Sequence, residues 1–263
     1  MRARYAERIV CMTEETTETL YALGEEARIV GISGFTVRPS RARKEKPKVS
    51  AFTSARIDRI LALEPDLVLG FSDLQADIAA ELIHHGIAVH IFNQRSVEGI
   101  FTMMRMLGGL IGEQEKTGRY VERLRQGVEA VQSDVDPKAR RPRVYFEEWD
   151  DPCISGIRWV SELIEMAGGR DIFTELREQP NASGRVVTPQ EVARRNPHII
   201  LASWCGKPLD SAAIAGRAGW QEVDAVKAGR IYEIAGEDIL SPGPSLLAGL
   251  RRIHEIVQEY QDR

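Results

Sequence analysis

The sequence predicts an α/β protein of two doubly wound-like lobes with mainly parallel sheets, joined by one long interdomain helix. Three observations carry this reading. Short apolar runs alternate with helical stretches from residue 8 to 112. One uninterrupted helical pattern follows, and after it the stretch 143–263 repeats the grammar of the first block. Strands alternating with helices imply a sheet covered on both faces. The chain, at 263 residues, is long enough for two cores. The expected division is an N-terminal lobe at 1–112, a spanning helix at 113–136 and a C-terminal lobe at 137–263.

In chain order, 9–12 reads as a strand and 18–23 as a helix stopped by Gly24. A second strand lies at 29–32, and a helix at 57–63 ends before Pro65. The run 67–69 is a buried strand, 74–85 a helix closed by Gly86, and 89–91 another strand. In the long helix, Val121, Leu124, Val128, Val131 and Val135 recur at spacings of three and four, which puts them on one stripe. Asp136-Pro137 ends it. Such a helix is a stiff connector.

The second block echoes the first in order. Arg8-Ile9-Val10 returns as Arg143-Val144-Tyr145. The junction Glu64-Pro65-Asp66 before one strand returns as Asn196-Pro197-His198 before another, and the two strands lead to Phe71 and Trp204. Finally 87–91 returns as 230–234.

Composition narrows the function. Lys+Arg (35) nearly balances Asp+Glu (39), so net charge gives no reason to expect a nucleic-acid partner. The basic stretch 38–48 lacks interleaved aromatics and reads as a solvated loop. Cys11, Cys153 and Cys205 form no CxxC pair, and an odd count fits a reducing compartment better than an oxidising one. No apolar run is long enough to span a bilayer, and residues 1–8 show no signal core, so the chain as given reads as cytoplasmic. It reads as periplasmic or extracellular if a signal was removed. No nucleophile elbow, HExxH, P-loop or GxGxxG occurs, so no catalytic or metal-binding residue is assigned and no cofactor is required.

Ligands of open parallel sheets sit beyond the carboxyl ends of the strands. Two facing lobes would make one cleft from both sets of loops. The residues expected there are Glu14, Phe35, Phe52 and Phe71 from the first block, and Trp149, Asp150, Trp204, Cys205 and Ser241 from the second. Loop aromatics with polar neighbours suit a large, flat, partly apolar ligand. Phe35, Phe52 and Phe71 read equally well as lobe-core residues. Trp159 shares an apolar helical face with Leu163 and Met166 and reads as core, and Trp220 as structural. The acidic run Glu147, Glu148, Asp150, Asp151 alternates faces on an extended segment. It can bind a cation, orient ligand amides or cap the following helix.

These patterns resemble the substrate-binding proteins of cobalamin and iron-siderophore ABC importers. The carriers are Arg8-Ile9-Val10, Thr19-Leu20-Tyr21-Ala22-Leu23-Gly24, Val30-Gly31-Ile32-Ser33, the stretch 49–60, the element 63–69 and Gly86-Ile87-Ala88-Val89. The resemblance covers nearly the whole chain. It is nearest the cobalamin-binding branch, including members without a signal peptide. It implies a class III periplasmic-binding-protein-like fold with limited hinge motion. It places Phe52 and Phe71 where the cobalamin binders have ligand-facing tryptophans. Asp58, with Gln190 or Glu191, falls where carboxylates dock on the transporter. Cys153 opens a loop whose first position is an aromatic near the ligand. The cleft arginine and tryptophan of the pattern are not evident in the second lobe, where Ser241 and Gly184 fall near those positions. The acidic run lies outside the pattern.

The first functional expectation is therefore reversible, non-enzymatic binding of a corrinoid, with an ABC permease as partner and no membrane insertion. The alternative is a ferric siderophore or haem, with Arg38, Arg158, Arg185 and Lys207 as the cationic set. A further alternative is a cofactor-handling enzyme that uses Glu147–Asp151 with Trp149 and Cys205.

Overall fold

The first strand, β1 (Ile9–Cys11), is apolar and completely buried because it runs down the middle of a sheet. The computed structural model describes residues 5–262, so the outermost ends of the expected domain ranges, at 1 and 263, lie outside the described residues. The chain divides into two compact units. One comprises Met1–Gln94 and Glu98–Arg123, the other Arg95–Val97 and Leu124–Arg263.

The first unit is a five-stranded sheet in the order β3-β2-β1-β4-β5, with every pair parallel. Its other strands are β2 (Ile29–Ser33), β3 (Lys48–Ser50), β4 (Leu67–Phe71) and β5 (Val89–Phe92). The strand order reverses at β1, where β2 and β4 leave to opposite sides, which is a topological switch point. Helices α1 (Glu14–Ala22), α2 (Ala42–Glu45), α3 (Ile57–Ala62), α4 (Ala76–His84) and α5 (Val97–Ile111) lie between or after the strands. Val10, Met12, Val49, Ile60, Val68 and Leu82 form one core cluster. Helix α6 (Gln114–Asp134) contributes its start to this unit and its end to the other. Its stripe residues Val121, Val128 and Val131 are buried, as the spacing requires.

The second unit is a mixed sheet in the order β10-β9-β6-β7. Strand β6 (Arg143–Asp150) runs parallel to β9 (Ile199–Ala202), which runs parallel to β10 (Ile231–Glu233). Strand β7 (Cys153–Ser155) folds back antiparallel on β6, and the short β8 (Arg170–Asp171) pairs with its start. The helices are α7 (Arg158–Met166), α8 (Pro189–Arg195), α9 (Ser211–Ala215), α10 (Asp224–Lys227), α11 (Gly236–Ile239) and α12 (Leu246–Gln261). Trp159 is 3% exposed on α7 and donates its indole N–H to Ile239 O at 2.8 Å. Trp220 is fully buried and donates to Pro189 O. Both are structural.

The repeated grammar is real at the level of the backbone. In each unit a central strand pairs parallel with the strand that follows a helix–proline corner, and that strand pairs parallel with a third. The residue before the proline is left-handed in both corners, Glu64 and Asn196 at φ 47°. The arginine at the head of the central strand reaches that residue's carbonyl in both: Arg8 Nε donates to Glu64 O at 2.9 Å and Arg143 Nε to Asn196 O at 2.8 Å.

Two expectations are corrected here. The stretch 38–48 is not simply a solvated loop. It contains α2, and Arg43 donates to the carbonyls of Gly34 and Thr36, closing the turn after β2. The acidic run is not a strand-end loop either. Glu147, Glu148 and Asp150 belong to β6 itself, because the hairpin to β7 extends that strand by half its length.

Candidate functional site

At the carboxyl end of β1 the chain turns at once into α1. Thr13 is extended and Glu14 and Glu15 form the first turn of the helix. Carboxylates are favourable there because they meet the free N–H groups and the positive end of the helix dipole. Glu14 is directed to the neighbouring loop, where its Oε1 accepts from the backbone N–H of Val37 at 2.9 Å and of Arg38 at 2.8 Å. It therefore sets the path of the loop that carries Phe35, which is 56% exposed. Glu15 points inward, is fully buried, and accepts from Thr13 Oγ1 at 2.6 Å. Burial pushes its carboxyl up to about 7.

Phe52, in the loop between β3 and α3, is half-buried, and its carbonyl accepts from Gln75 Nε2 at 2.9 Å. Gln75 also accepts from the N–H of Phe71, so one buried amide ties the two loops together. Phe71 ends β4 and is 6% exposed, a core residue more than a surface one. Gly70 beside it must be glycine, because a Cβ would run into Gln75 and Met12. Asp58 is exposed in the first turn of α3. Between β3 and α3 lies an open pocket of about 420 Å³ lined by Lys48, Ser50, Ser54, Arg56 and Arg59, among others. Sequence reading did not single it out, since its lining comes from two ordinary elements.

In the second unit the acidic run forms a set of ion pairs. Glu147 is fully buried, and its carboxylate accepts from Arg217 at 2.5 and 3.0 Å, from the Trp204 indole at 3.1 Å and from the Tyr145 hydroxyl at 3.1 Å. Burial holds the Tyr145 hydroxyl well above its ordinary range, so it stays a donor. Glu148 receives both terminal nitrogens of Arg185, a forked contact at 2.7 and 3.1 Å. Asp150 receives the Lys207 ammonium at 2.6 Å. Burial works against that carboxylate, yet Lys207 and backbone donors hold it below the ordinary range. Alternation along β6 sends Glu147 and Glu148 to opposite faces, and the register shift between Glu147 and Trp149 interrupts the pattern before Asp150. Among the described residues no group of acidic, histidine or cysteine side chains could hold a metal ion.

Trp149 is half-buried and anchored through its indole N–H to Asp151 O at 2.9 Å. Trp204 is 7% exposed. The Lys207 ammonium lies over both rings, 4.5 Å from the centre of one and 4.7 Å from the other. Cys205, at the start of the same loop, is exposed as a residue, and partial desolvation of its thiol followed by the nearby Glu148 charge raises its pKa, which disfavours the thiolate. Ser241 is half-buried in the loop before α12.

Several sequence-predicted residues are placed otherwise than expected. Cys153 is 4% exposed in the core of the second unit, with its thiol donating to Asp150 O and pushed up to about 11 by burial. It packs the hairpin between β6 and β7. Three of the four cations of the alternative set are paired within the chain: Arg185 is 2% exposed and pairs with Glu148, Arg158 with Glu162 and Glu178, and Lys207 with Asp150. Glu191 is clamped by Arg194 and Arg195, whose hydrogen bonds hold its carboxyl down to about 2, while Gln190 beside it is exposed. The residues sequence reading missed are Glu147's partner Arg217, in a segment with no recognisable motif, and Gln75. Only the fold brings either to its place.

Comparison with known proteins adds three facts. A family model described as periplasmic binding protein matches residues 9–237. A protein named cobalamin-binding protein from Halobacterium salinarum is 24% identical over 256 residues, which is 94% of this chain and 68% of that one. Two crystal structures share the fold. One is a possible iron-binding periplasmic solute-binding protein from Staphylococcus epidermidis, with TM-score 0.83, 21% identity, and 97% and 99% of the two chains covered. The other is the periplasmic vitamin B12 binding protein BtuF of Vibrio cholerae, with TM-score 0.79, 22% identity, and 98% and 99% covered.

Proposed function

Because the chain belongs to the periplasmic binding protein family, we propose that it binds a small molecule reversibly, that this molecule is a corrinoid of the cobalamin type, and that the protein is a substrate-binding component of an ABC import system or a relative of one. The observation that carries the reading is the pair of aromatic sets, each at or near the carboxyl ends of strands in its own sheet: Phe52 and Phe71 in one unit, Trp149 and Trp204 in the other. A relative named for cobalamin binding aligns along nearly the whole chain. Flat aromatic faces suit the rim of a macrocycle, and polar loop groups suit its amide side chains.

Binding occurs without turnover in this reading, and the corrinoid is ligand, not cofactor. The support is that the acids best suited to chemistry are already committed to Arg217, Arg185 and Lys207. Calorimetric titration with cyanocobalamin, hydroxocobalamin and cobinamide tests the reading. Saturable heat with unaltered ligand recovered afterwards agrees with it. Flat titrations with all three reject corrinoid binding, and an altered corrinoid rejects the non-enzymatic assignment.

A second reading, an anionic ferric siderophore or haem, is favoured by one observation: the pocket between β3 and α3 presents Lys48, Arg56 and Arg59 together. Competition between a ferric catecholate and cyanocobalamin separates the two.

For the transporter, Asp58 and the exposed Gln190 are the proposed docking positions. Loss of permease co-purification in Asp58→Lys is the expected result. Among the described residues no helix is long and apolar enough to cross a membrane. Three free cysteines support a reducing compartment, which cell fractionation with thiol labelling checks.

A further inference from the structure

The Lys207 ammonium occupies a box whose walls do not depend on it. Trp149 and Asp150 are on the end of β6 that pairs with β7, opposite Ile154 and Cys153. Trp149 is fixed through its N–H to Asp151 O, and Trp204 through its own to the buried Glu147. The occupant, in contrast, comes from the exposed loop after β9. It follows Gly206, at φ +77°, and its side chain is 38% exposed. Two indole faces at 4.5 and 4.7 Å and a carboxylate oxygen at 2.6 Å enclose one positive charge. This is the chemistry that recognises organic cations. A lysine ammonium is compact and strongly hydrated, whereas a quaternary ammonium or a guanidinium gives up less hydration on entering an aromatic box.

We propose that Trp149, Trp204 and Asp150 form a binding site for an organic cation of the quaternary-ammonium or alkylguanidinium class, and that Lys207 is its displaceable resident. The inference goes beyond the corrinoid reading; it shares Trp149 and Trp204 with it, but its test reads cation binding and Lys207 reactivity with no corrinoid present, so either reading can fail alone. With Lys207 in place, an outside cation binds only the fraction of molecules in which the loop has lifted, so its apparent affinity is lowered by that fraction. Removing the ammonium removes the competitor.

The test is titration of choline and tetramethylammonium into the full chain and into Lys207→Ala, followed by calorimetry and tryptophan fluorescence. The neutral carbon isostere of choline is the control. Lys207→Ala is expected to bind both cations about tenfold or more tightly than the unaltered chain, to ignore the isostere, and to lose the gain when Trp149→Ala is added. A folded Lys207→Ala with no saturable cation binding overturns the proposal, as does equal binding of the isostere. The unaltered chain offers a second readout that needs no variant. Choline should speed acylation of Lys207 by an amine-reactive reagent, read by peptide mass spectrometry, and an unchanged rate counts against displacement.

Discussion

Trp204 donates its indole N–H to Glu147 Oε1 at 3.1 Å, so the orientation of an aromatic at a strand end is set by a carboxylate that never reaches the surface. The same carboxylate neutralises Arg217, whose side chain is only 16% exposed. Glu147 thus positions the aromatic and balances a buried charge at once.

Glu147→Ala should cost about 3–5 kcal/mol, since it leaves a mostly buried guanidinium without a counter-ion. Glu147→Gln should lose less, because the amide oxygen still accepts from Trp204. Urea unfolding measures both, and a cost for Glu147→Ala under 1 kcal/mol would mean that the pair is solvated.

Arg185→Met tests the other buried pair. Arg185 is 2% exposed, forks onto Glu148 and also donates to Ser155 O. Methionine fills the space of the stem but leaves Glu148 unpaired. Since the Glu148 carboxylate is less deeply placed, at 22% exposed, it regains some hydration. A loss of about 2–3 kcal/mol is expected, below the full penalty for a sealed charge. Thermal and chemical denaturation should agree on it.

Glu15 gives a pH dependence with a defined sign. Its folded carboxyl, lifted by burial to about 7, holds a proton that the unfolded chain releases near the ordinary value of 4.5. Between those two values the native state binds more protons than the unfolded state, so this group lowers stability as pH rises through the window. Glu15→Gln removes the effect. Relative to the unaltered chain it should gain up to about 3 kcal/mol at pH 8 and nothing at pH 4. A difference that stays constant with pH would show that Glu15 titrates alike in the folded and unfolded chain.

For corrinoid binding, Phe52→Ala and Trp149→Ala should each weaken affinity by about tenfold or more, the loss of one aromatic contact of about 1.5 kcal/mol. Cys153→Ala should leave affinity within about twofold while lowering stability, because that side chain is core. Calorimetry and denaturation, run on the same three variants, separate the two kinds of effect.

Much of the architecture was legible because it rests on local signals. The alternation of apolar runs with capped helices gave β1, β2, β4 and β5, and the spacing of Val121, Val128 and Val131 gave the long helix. What escaped was set by long-range pairing. Strand β3 is only three residues at the end of a basic stretch, and it pairs along β2. The acidic run looked like a loop because polar residues seldom fill a strand. Here three of its four acids have a cation brought from elsewhere: Arg217 to Glu147, Arg185 to Glu148, Lys207 to Asp150. Cys153 was placed near a ligand by likeness to an aromatic position, and a small thiol at that position packs inward instead.

The two left-handed corners hold one further consequence. Nature has set the same backbone problem twice within this chain and answered it with unequal side chains, an asparagine at 196, a type that tolerates the left-handed region, and a glutamate at 64, which does not share that tolerance. The N-terminal copy therefore carries a conformational debt that its twin does not. Glu64→Gly or Glu64→Asn should raise the melting temperature where the matching exchange, Asn196→Glu, lowers it, so the two corners differ in how much room each has left for improvement.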